Sequence, residues 1–250
     1  MNYRERCYKA YVTKHFSFTH TLSKNEYDFA RKIYAKKFKL FLPSNKDSAI
    51  IDVACGAGHF LNFLKKEGYT NIYGIDISKE QLKMARSIGI TEVEESDLFE
   101  YLPKYTEKYE MIIANDIIEH LTKEEVLKFL DILFDRLQPG GKVLISTVNA
   151  ASLFGAATVY CNFTHEQGFT ATSLAQVLRI CGFEGVEIYG DGPVVHDVRS
   201  FMRVLLWKVI SGILRSYLIV EGGTGRGFWK RKVILEPRMF AIAKKPYHIE

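Results

Sequence analysis

The chain has 250 residues, of which 47% are hydrophobic, and a formal net charge of +5. This length and composition predict one domain with a full core, and the small, dispersed charge excess argues against a nucleic-acid partner. The four cysteines lie far apart, which excludes a disulfide scaffold and favours a reduced, cytoplasmic protein. No apolar run reaches the ~18 residues of a membrane span, and the charged N-terminus does not look like a signal peptide.

Strand and helix patterns alternate along most of the chain. Residues 23–42 predict an amphipathic helix that ends at Pro43. Strands are then predicted at 49–54, 71–76, 92–96, 109–114, 142–148 and 184–189, and helices at 59–67, 79–87, 123–137 and 171–181. This alternation predicts a doubly wound α/β fold with a parallel sheet and helices on both faces. Ligands of such sheets bind at the carboxyl ends of the strands.

The first two predicted strands carry a nucleotide-binding pattern. Asp52 ends the first strand, Gly56 and Gly58 lie where the chain turns into the next helix, and Asp76 ends the second strand. Glycines at such a turn allow close approach of backbone to ligand. A carboxylate at the second position accepts both ribose hydroxyls and repels a 2′-phosphate, which argues against an NADP-type ligand.

Two features distinguish a dinucleotide from another adenosine compound. The pyrophosphate fingerprint requires a third small residue where this chain has Leu61. The Asp52 carboxylate would also repel a pyrophosphate, whereas it suits a cationic amino group. S-adenosylmethionine (SAM) carries such an ammonium group and a sulfonium.

On these residues the sequence resembles the class I SAM-dependent methyltransferases. Their first motif typically reads acidic-x-x-x-Gly-x-Gly, here residues 52–58, and the resemblance covers about residues 45 to 190. It implies a Rossmann-like, mostly parallel sheet of seven strands whose last strand, expected at Met239–Ala243, is antiparallel. It divides a single domain into a helical extension (1–45), a SAM-binding core (46–190) and a C-terminal part (191–250).

The resemblance also implies which residues bind the cofactor. Motif I would contact the methionine portion of SAM, Asp76 the ribose and Asp97-Leu98 the adenine. The full expected cofactor set is Asp52, Ala54, Gly56, Gly58, Phe60, Asp76, Ile77, Asp97, Leu98 and Asn115.

A second cluster of polar residues follows the strand at 109–114. If the chain turns helical there, Asp116, Glu119 and His120 project from one face. This pattern, with the later Thr164-His165 pair, resembles the metal-assisted O-methyltransferases of ubiquinone biosynthesis and the small-RNA 2′-hydroxyl methyltransferases. The resemblance implies a divalent metal on Asp116, Glu119, His120 and His165 that lowers the pKa of the acceptor hydroxyl. Asp116 departs from the glutamate of that pattern.

Two alternatives to the metal site stay open. Glu119 and His120 could form a hydrogen-bonded turn that only shapes the site. In a metal-free enzyme His165 would be the general base, because the unperturbed pKa of histidine lies near neutrality. Asp116, His120 and His165 are therefore the candidate catalytic residues.

The C-terminal third contains an unusually apolar helix. Residues 199–220 have an apolar stripe at helical spacing, and Trp207, Leu214 and Leu218 add apolar surface on another side. A single stripe is typical of core packing. The excess favours a cover over the acceptor pocket, a homodimer interface or peripheral membrane contact. The basic, glycine-rich residues 221–232 predict either a solvated loop or a lid for a phosphate-bearing acceptor.

The leading functional hypothesis is a SAM-dependent O-methyltransferase for a sugar or glycan hydroxyl. The carbohydrate part depends on a resemblance of 59–69, 117–121 and 163–183 to methyltransferases of surface-polysaccharide synthesis. The alternatives are an O-methyltransferase of a small phenolic or quinone-type metabolite and a SAM-binding scaffold without turnover.

Overall fold

One seven-stranded sheet organises the described part of the chain. The computed structural model describes residues 3–8, 24–222 and 233–247. The strands are β1 Ile50–Val53, β2 Ile72–Asp76, β3 Val93–Glu95, β4 Tyr109–Asn115, β5 Leu137–Val148, β6 Glu184–Gly190 and β7 Arg238–Lys244. Their order is β3-β2-β1-β4-β5-β7-β6, and β7 runs antiparallel to both of its neighbours. The predicted fold, including the edge strand at 92–96 and the antiparallel last strand, is confirmed.

Helices cover both faces of the sheet. They are α1 Tyr3–Tyr8, α2 Lys24–Phe38, α3 His59–Lys66, α4 Lys79–Ser87, α5 Leu98–Lys104, α6 Lys123–Arg136, α7 Gly155–Tyr160, α8 Ala171–Ile180 and α9 Val198–Gly222, with 3₁₀ turns at Lys39–Phe41 and Ile118–His120. Three of them, α1, α5 and α7, were not expected from the sequence. Each has seven residues or fewer, so the chain is too short there to show a helical period.

The sheet separates two hydrophobic cores. One core packs α5, α6 and α8 against the sheet, and the other packs α2, α3 and α4 against the opposite face. All four residues of β1 are buried, as expected for a central parallel strand covered on both sides. The carboxyl ends of β1 and β4 thus lie at the middle of the molecule, between helices that fix the following loops.

Leu61 packs into space left by a glycine on the neighbouring strand. A Cβ built on Gly74 would lie 2.5 Å from Leu61 Cδ1 and 2.9 Å from Cys55 Sγ. Gly74 pairs with Asp52 in the β1–β2 register. In a dinucleotide fingerprint, a small residue on the helix allows the helix to pack closely on the sheet. Here a small residue on the strand, Gly74, allows the same close packing.

The fifth strand starts earlier than its composition indicates. The sequence predicts a strand at 142–148 after a stop at Pro139-Gly140-Gly141, whereas β5 begins at Leu137. The pairing with β4 shifts between Tyr109–Leu137 and Met111–Lys142, so the Pro-Gly-Gly segment forms an irregularity within the strand. Proline and glycine interrupted the ladder locally without ending the strand.

Helix α9 differs from the other long helices in its exposure. Five residues of its predicted apolar stripe, which would be buried in a core helix, are 47% to 65% exposed: Met202, Leu205, Leu206, Val209 and Ile213. Among the described residues, no helix is long and apolar enough to cross a membrane. The stripe therefore covers no core in the described part of the protein. The glycine-rich lid predicted at 221–232 falls, from residue 223 onward, outside the described residues.

Candidate active site

The turn after β1 is held in a left-handed conformation by one carboxylate. Ala54, Gly56 and Gly58 have φ of 58°, 53° and 76°, which Ala54 adopts against its preference. Gly56 N donates to Asp76 Oδ2 (2.8 Å), and Ser78 N donates to Asp76 Oδ1 (2.8 Å). Asp76 thus ties the end of β2 to the turn after β1.

Asp52 is a buried carboxylate with an unsatisfied oxygen. The residue is 2% exposed, and among the described residues its Oδ1 has no hydrogen-bond partner. Burial, and secondly the neighbouring Asp76, raise the pKa of Asp52 well above its ordinary value. A buried acceptor of this kind suits a cationic ligand group, as the sequence predicts for the SAM ammonium.

A cavity of about 380 Å³ lies beside this turn. Five residues of the expected cofactor set line it: Ala54, Asp76, Ile77, Asp97 and Leu98. Asp97 also caps α5, because its carboxylate accepts from Phe99 N (2.7 Å). The volume falls in the range of ordinary small-molecule sites.

Two other residues of the expected set have structural contacts instead. Gly58 begins α3, where a Cβ would lie 3.0 Å from Ala85 Cβ. Phe60 is 2% exposed and packs against the Phe38 ring at 5.6 Å. The structure therefore places Phe60 in the core between α2 and α3.

Asp116 forms an ion pair at the end of β4. The Arg238 Nη2 group donates to both carboxylate oxygens of Asp116, and Ser146 Oγ donates to Asp116 Oδ1 (3.1 Å) and to Asn115 Oδ1 (2.9 Å). Asp116 has a φ of 53°, so the chain does not enter a helix directly after Asn115. The expected helical face of Asp116, Glu119 and His120 is absent, since only Ile118–His120 form a 3₁₀ turn.

Three of the four expected metal ligands converge. One possible ligand atom each from Glu119, His120 and His165 lies within 4.8 Å of the others. The rings of His120 and His165 are 4.7 Å apart at an angle of 73°. Asp116 is outside this cluster because its carboxylate is bound by Arg238.

Backbone contacts bring His165 to the turn after β4. Glu166 N and Gln167 N both donate to Glu119 O (2.8 and 3.3 Å). The loop between α7 and α8 is thereby fixed against the 3₁₀ turn. Residues 45 positions apart in sequence are held side by side by main-chain hydrogen bonds that no side-chain pattern predicts.

The hydrogen bonds of the two histidines assign their protonated nitrogens. His165 Nδ1 lies 2.6 Å from Val159 O, and His120 Nδ1 lies 3.1 Å from Thr164 O. A carbonyl only accepts, so Nδ1 of each ring carries a proton and donates to it. Such carbonyl contacts to the distal nitrogen are typical of metal-binding histidines.

The cluster is buried and short of positive charge. Glu119 is 1% exposed, and burial and Asp116 raise its pKa to about 8. Burial, together with His165, lowers the pKa of His120 to about 4. The oxygen of a glutamate and the nitrogens of two histidines form a donor set that divalent transition metals and zinc accept. The residues present therefore fit a metal ion.

Two basic residues near the site were missed in the sequence. Arg4 on α1 lines the 380 Å³ cavity and donates to both carboxylate oxygens of Glu125 (2.7 and 2.8 Å). Arg238 opens β7 and neutralises Asp116. Both contacts join residues that are more than 120 positions apart in sequence, so no local spacing predicts them.

Comparison with known proteins identifies the family. A family profile described as a methyltransferase domain matches residues 26–188, which is more than half of the chain. The chain belongs to this methyltransferase family. It therefore contains the class I SAM-dependent methyltransferase domain that the sequence predicts.

Curated relatives match parts of the chain. A malonyl-[acyl-carrier protein] O-methyltransferase of Hamiltonella defensa is 27% identical over 72% of this chain and 64% of its own length. A ubiquinone biosynthesis O-methyltransferase of Rickettsia typhi is 31% identical over 48% of this chain and 50% of its own length. The chain covers between 29% and 64% of the length of the first three curated relatives.

Solved structures support the fold. A SAM-dependent methyltransferase from Archaeoglobus fulgidus superposes with a TM-score of 0.61 at 21% identity, covering 86% of this chain and 94% of the other. Haemonchus contortus phosphoethanolamine N-methyltransferase 2, solved with SAM, has a TM-score of 0.58 at 19% identity, covering 96% of this chain and 60% of the other. At these identities the likeness concerns the fold.

Proposed function

We propose that this methyltransferase transfers the methyl group of SAM to a hydroxyl of a small-metabolite acceptor, at a site built on Glu119, His120 and His165. The observation that carries the proposal is the convergence of one ligand atom from each of these three side chains within 4.8 Å, beyond the carboxyl end of β4, the strand that pairs with β1. His120 also lines the 380 Å³ cavity of the expected cofactor residues. The proposed acceptor chemistry therefore lies directly beside the cofactor site.

The three residues would hold a divalent metal. Such an ion would supply a Lewis acid that lowers the pKa of the acceptor hydroxyl. The chain itself orients the ligands, through the carbonyl contacts of both rings and the hydrogen bond from Thr147 Oγ1 to Glu119 Oε2 (2.9 Å). Without a metal, His165 would accept the hydroxyl proton at Nε2.

The cofactor residues have separate roles in this proposal. Asp76, bound to the turn through Gly56 N, would accept the ribose hydroxyls, and Asp52 would face the ammonium group. Asp97 and Leu98 would border the adenine. Asp116 is a positioning residue in this scheme, because Arg238 already binds its carboxylate.

The acceptor is proposed to be a small metabolite in preference to a sugar. The two curated relatives named above are O-methyltransferases of ubiquinone biosynthesis and of a malonyl carrier protein, and neither name mentions a carbohydrate. These relatives do not support the expected likeness to polysaccharide methyltransferases. The scaffold alternative without turnover receives no support from a family of enzymes.

The conversion of SAM into S-adenosylhomocysteine, measured with methyl gallate and with UDP-glucose as acceptors, tests the proposal. We expect turnover with the phenol, loss of turnover after chelation, and recovery with Mg²⁺ or Zn²⁺. If chelation does not change turnover, the proposal of a metal is overturned and His165 remains as the general base. Turnover of the sugar alone would overturn the acceptor class.

A further inference from the structure

A second, larger cavity lies between α2 and α9. It has a volume of about 900 Å³, which is near the upper end for small-molecule sites. Apolar side chains from both helices form its walls: Phe29, Ile33, Met202, Leu206 and Ile210. A single phenolic ring would leave most of this space empty.

The large cavity shares three lining residues with a small cavity of about 50 Å³ at the end of β4. The small cavity is also lined by Asn115, a residue of the expected cofactor set, and by Asp116. Lys37, Asp191 and Arg238 line both the small and the large cavity. A ligand in the large cavity therefore reaches Arg238, whose partner Asp116 is three residues before Glu119.

Several polar groups of the large cavity have partners within the protein. Lys37 pairs with Asp191, and Trp207 Nε1 donates to Glu236 Oε1 (3.1 Å). Arg238 is held by Asp116. These groups are satisfied without a ligand, so the contribution that a ligand can add along α2 and α9 is mainly the burial of apolar surface.

The apolar lining continues onto the open side of α9. Leu206 and Ile210 line the cavity while 58% and 46% exposed, and Ile213, one turn further, is 65% exposed. An apolar side chain is normally stabilised by burial, which these residues lack in the described structure. The helix has four basic residues and no acidic one before Glu221, so an amphiphile with a polar or anionic head is the better electrostatic match.

We propose that the large cavity binds the apolar chain of the acceptor, so that the enzyme methylates an amphiphile whose head lies toward Arg238 and whose chain lies between α2 and α9. This inference depends on the proposed function for the position of the head, but not for the binding of the chain. The continuity of the two cavities through Arg238 is what distinguishes a chain-bearing acceptor from a partner protein on the outer face of α9.

Alkyl gallates of increasing chain length test the inference by calorimetry, on protein loaded with S-adenosylhomocysteine and below micelle-forming concentrations. Each added methylene should tighten binding about fourfold until the chain fills the cavity. An affinity that does not change from methyl to dodecyl gallate would overturn the proposal. Because binding is measured, this result is independent of turnover, whereas loss of methyl gallate turnover on its own would count against the proposed function.

Two matched substitutions on α9 locate the chain. Ile210→Glu places a charge on the cavity wall and should weaken octyl gallate at least tenfold, with the affinity for S-adenosylhomocysteine unchanged. Ile213→Glu is on the same helix but does not line the cavity, and it should leave octyl gallate binding unchanged. Equal losses in both variants would overturn the proposal in favour of a ligand or second copy that covers the whole outer face of α9. Sedimentation velocity of the two variants would then reveal the second copy.

Discussion

The cofactor half and the other half of the sheet differ in how far their side chains are buried. On the cofactor half, β1 and α3 are buried, and one carboxylate, Asp76, ties two loops together through backbone N–H groups. On the other half, α9 leaves most of its apolar stripe exposed beside a cavity of about 900 Å³. The expected cofactor residues are thus held in place by hydrogen bonds within the protein. The acceptor half is open and apolar, and its chemistry is set by side chains that no motif fixes.

The cluster of Glu119, His120 and His165 is the proposed metal site, and its disruption should have the largest effect. Glu119→Gln keeps the shape of the side chain but removes its charge, so kcat/KM should fall by roughly a hundredfold or more. Measured affinity for SAM should change little. Glu166→Gln is the matched control, because that carboxylate is next to His165 yet pairs with Arg4. A similar loss in both variants would show that general loop charge, and not ligation, is responsible.

Asp76→Ala tests the cofactor half. The variant loses two hydrogen bonds to backbone N–H groups and the proposed ribose contact, so SAM should bind about 10- to 100-fold more weakly by calorimetry. Glu95→Ala, at the end of the neighbouring strand and paired only with the exposed Lys79, should bind SAM normally. Unchanged affinity in Asp76→Ala would contradict the assignment of this site to the ribose.

Gly74→Ala tests the rigidity of the cofactor half without touching the ligand. The added methyl group would lie 2.5 Å from Leu61 Cδ1, so the free energy of unfolding should fall by about 1–3 kcal/mol in a denaturant titration. The double variant Gly74→Ala/Leu61→Ala should lose less free energy of unfolding than the two single variants lose together, since the shorter side chain relieves the clash. Strict additivity would mean that Leu61 does not occupy the space above Gly74.

The pH dependence of stability should report Asp52. Its pKa is raised in the folded protein, so the stability that its protonated form provides is complete below the unfolded pKa and is lost as pH rises through the folded pKa. Ligand-free protein should therefore melt at lower temperature as pH increases above the ordinary carboxyl range, and Asp52→Asn should reduce that slope. Saturating SAM should also reduce the slope in the parent protein, because its ammonium group would compensate the charge. A slope that Asp52→Asn leaves unchanged would assign the effect to other carboxylates.

Local pattern was sufficient for the cofactor half. The strand ends, the glycine turn and Asp76 lie within 27 residues, and the βαβ geometry brings such residues together in every chain that folds this way. The short strand at 93–95 was also predicted, because this segment lies between two clearly marked strand–helix units of the sequence. The cofactor role that the resemblance implies for Phe60 stays a prediction, and the structure buries this side chain against Phe38.

The sequence by itself determined the sheet and the methyltransferase domain, because strand order and short motifs depend on neighbouring residues. Only the tertiary structure decided which groups neutralise one another across the chain. Arg238 reaches Asp116 over 122 positions and removes it from the metal cluster, and the Glu119 carbonyl holds the loop that carries His165. The exposure of α9 was likewise decided by packing, since an apolar helical stripe has the same sequence whether it meets a core, a ligand or solvent.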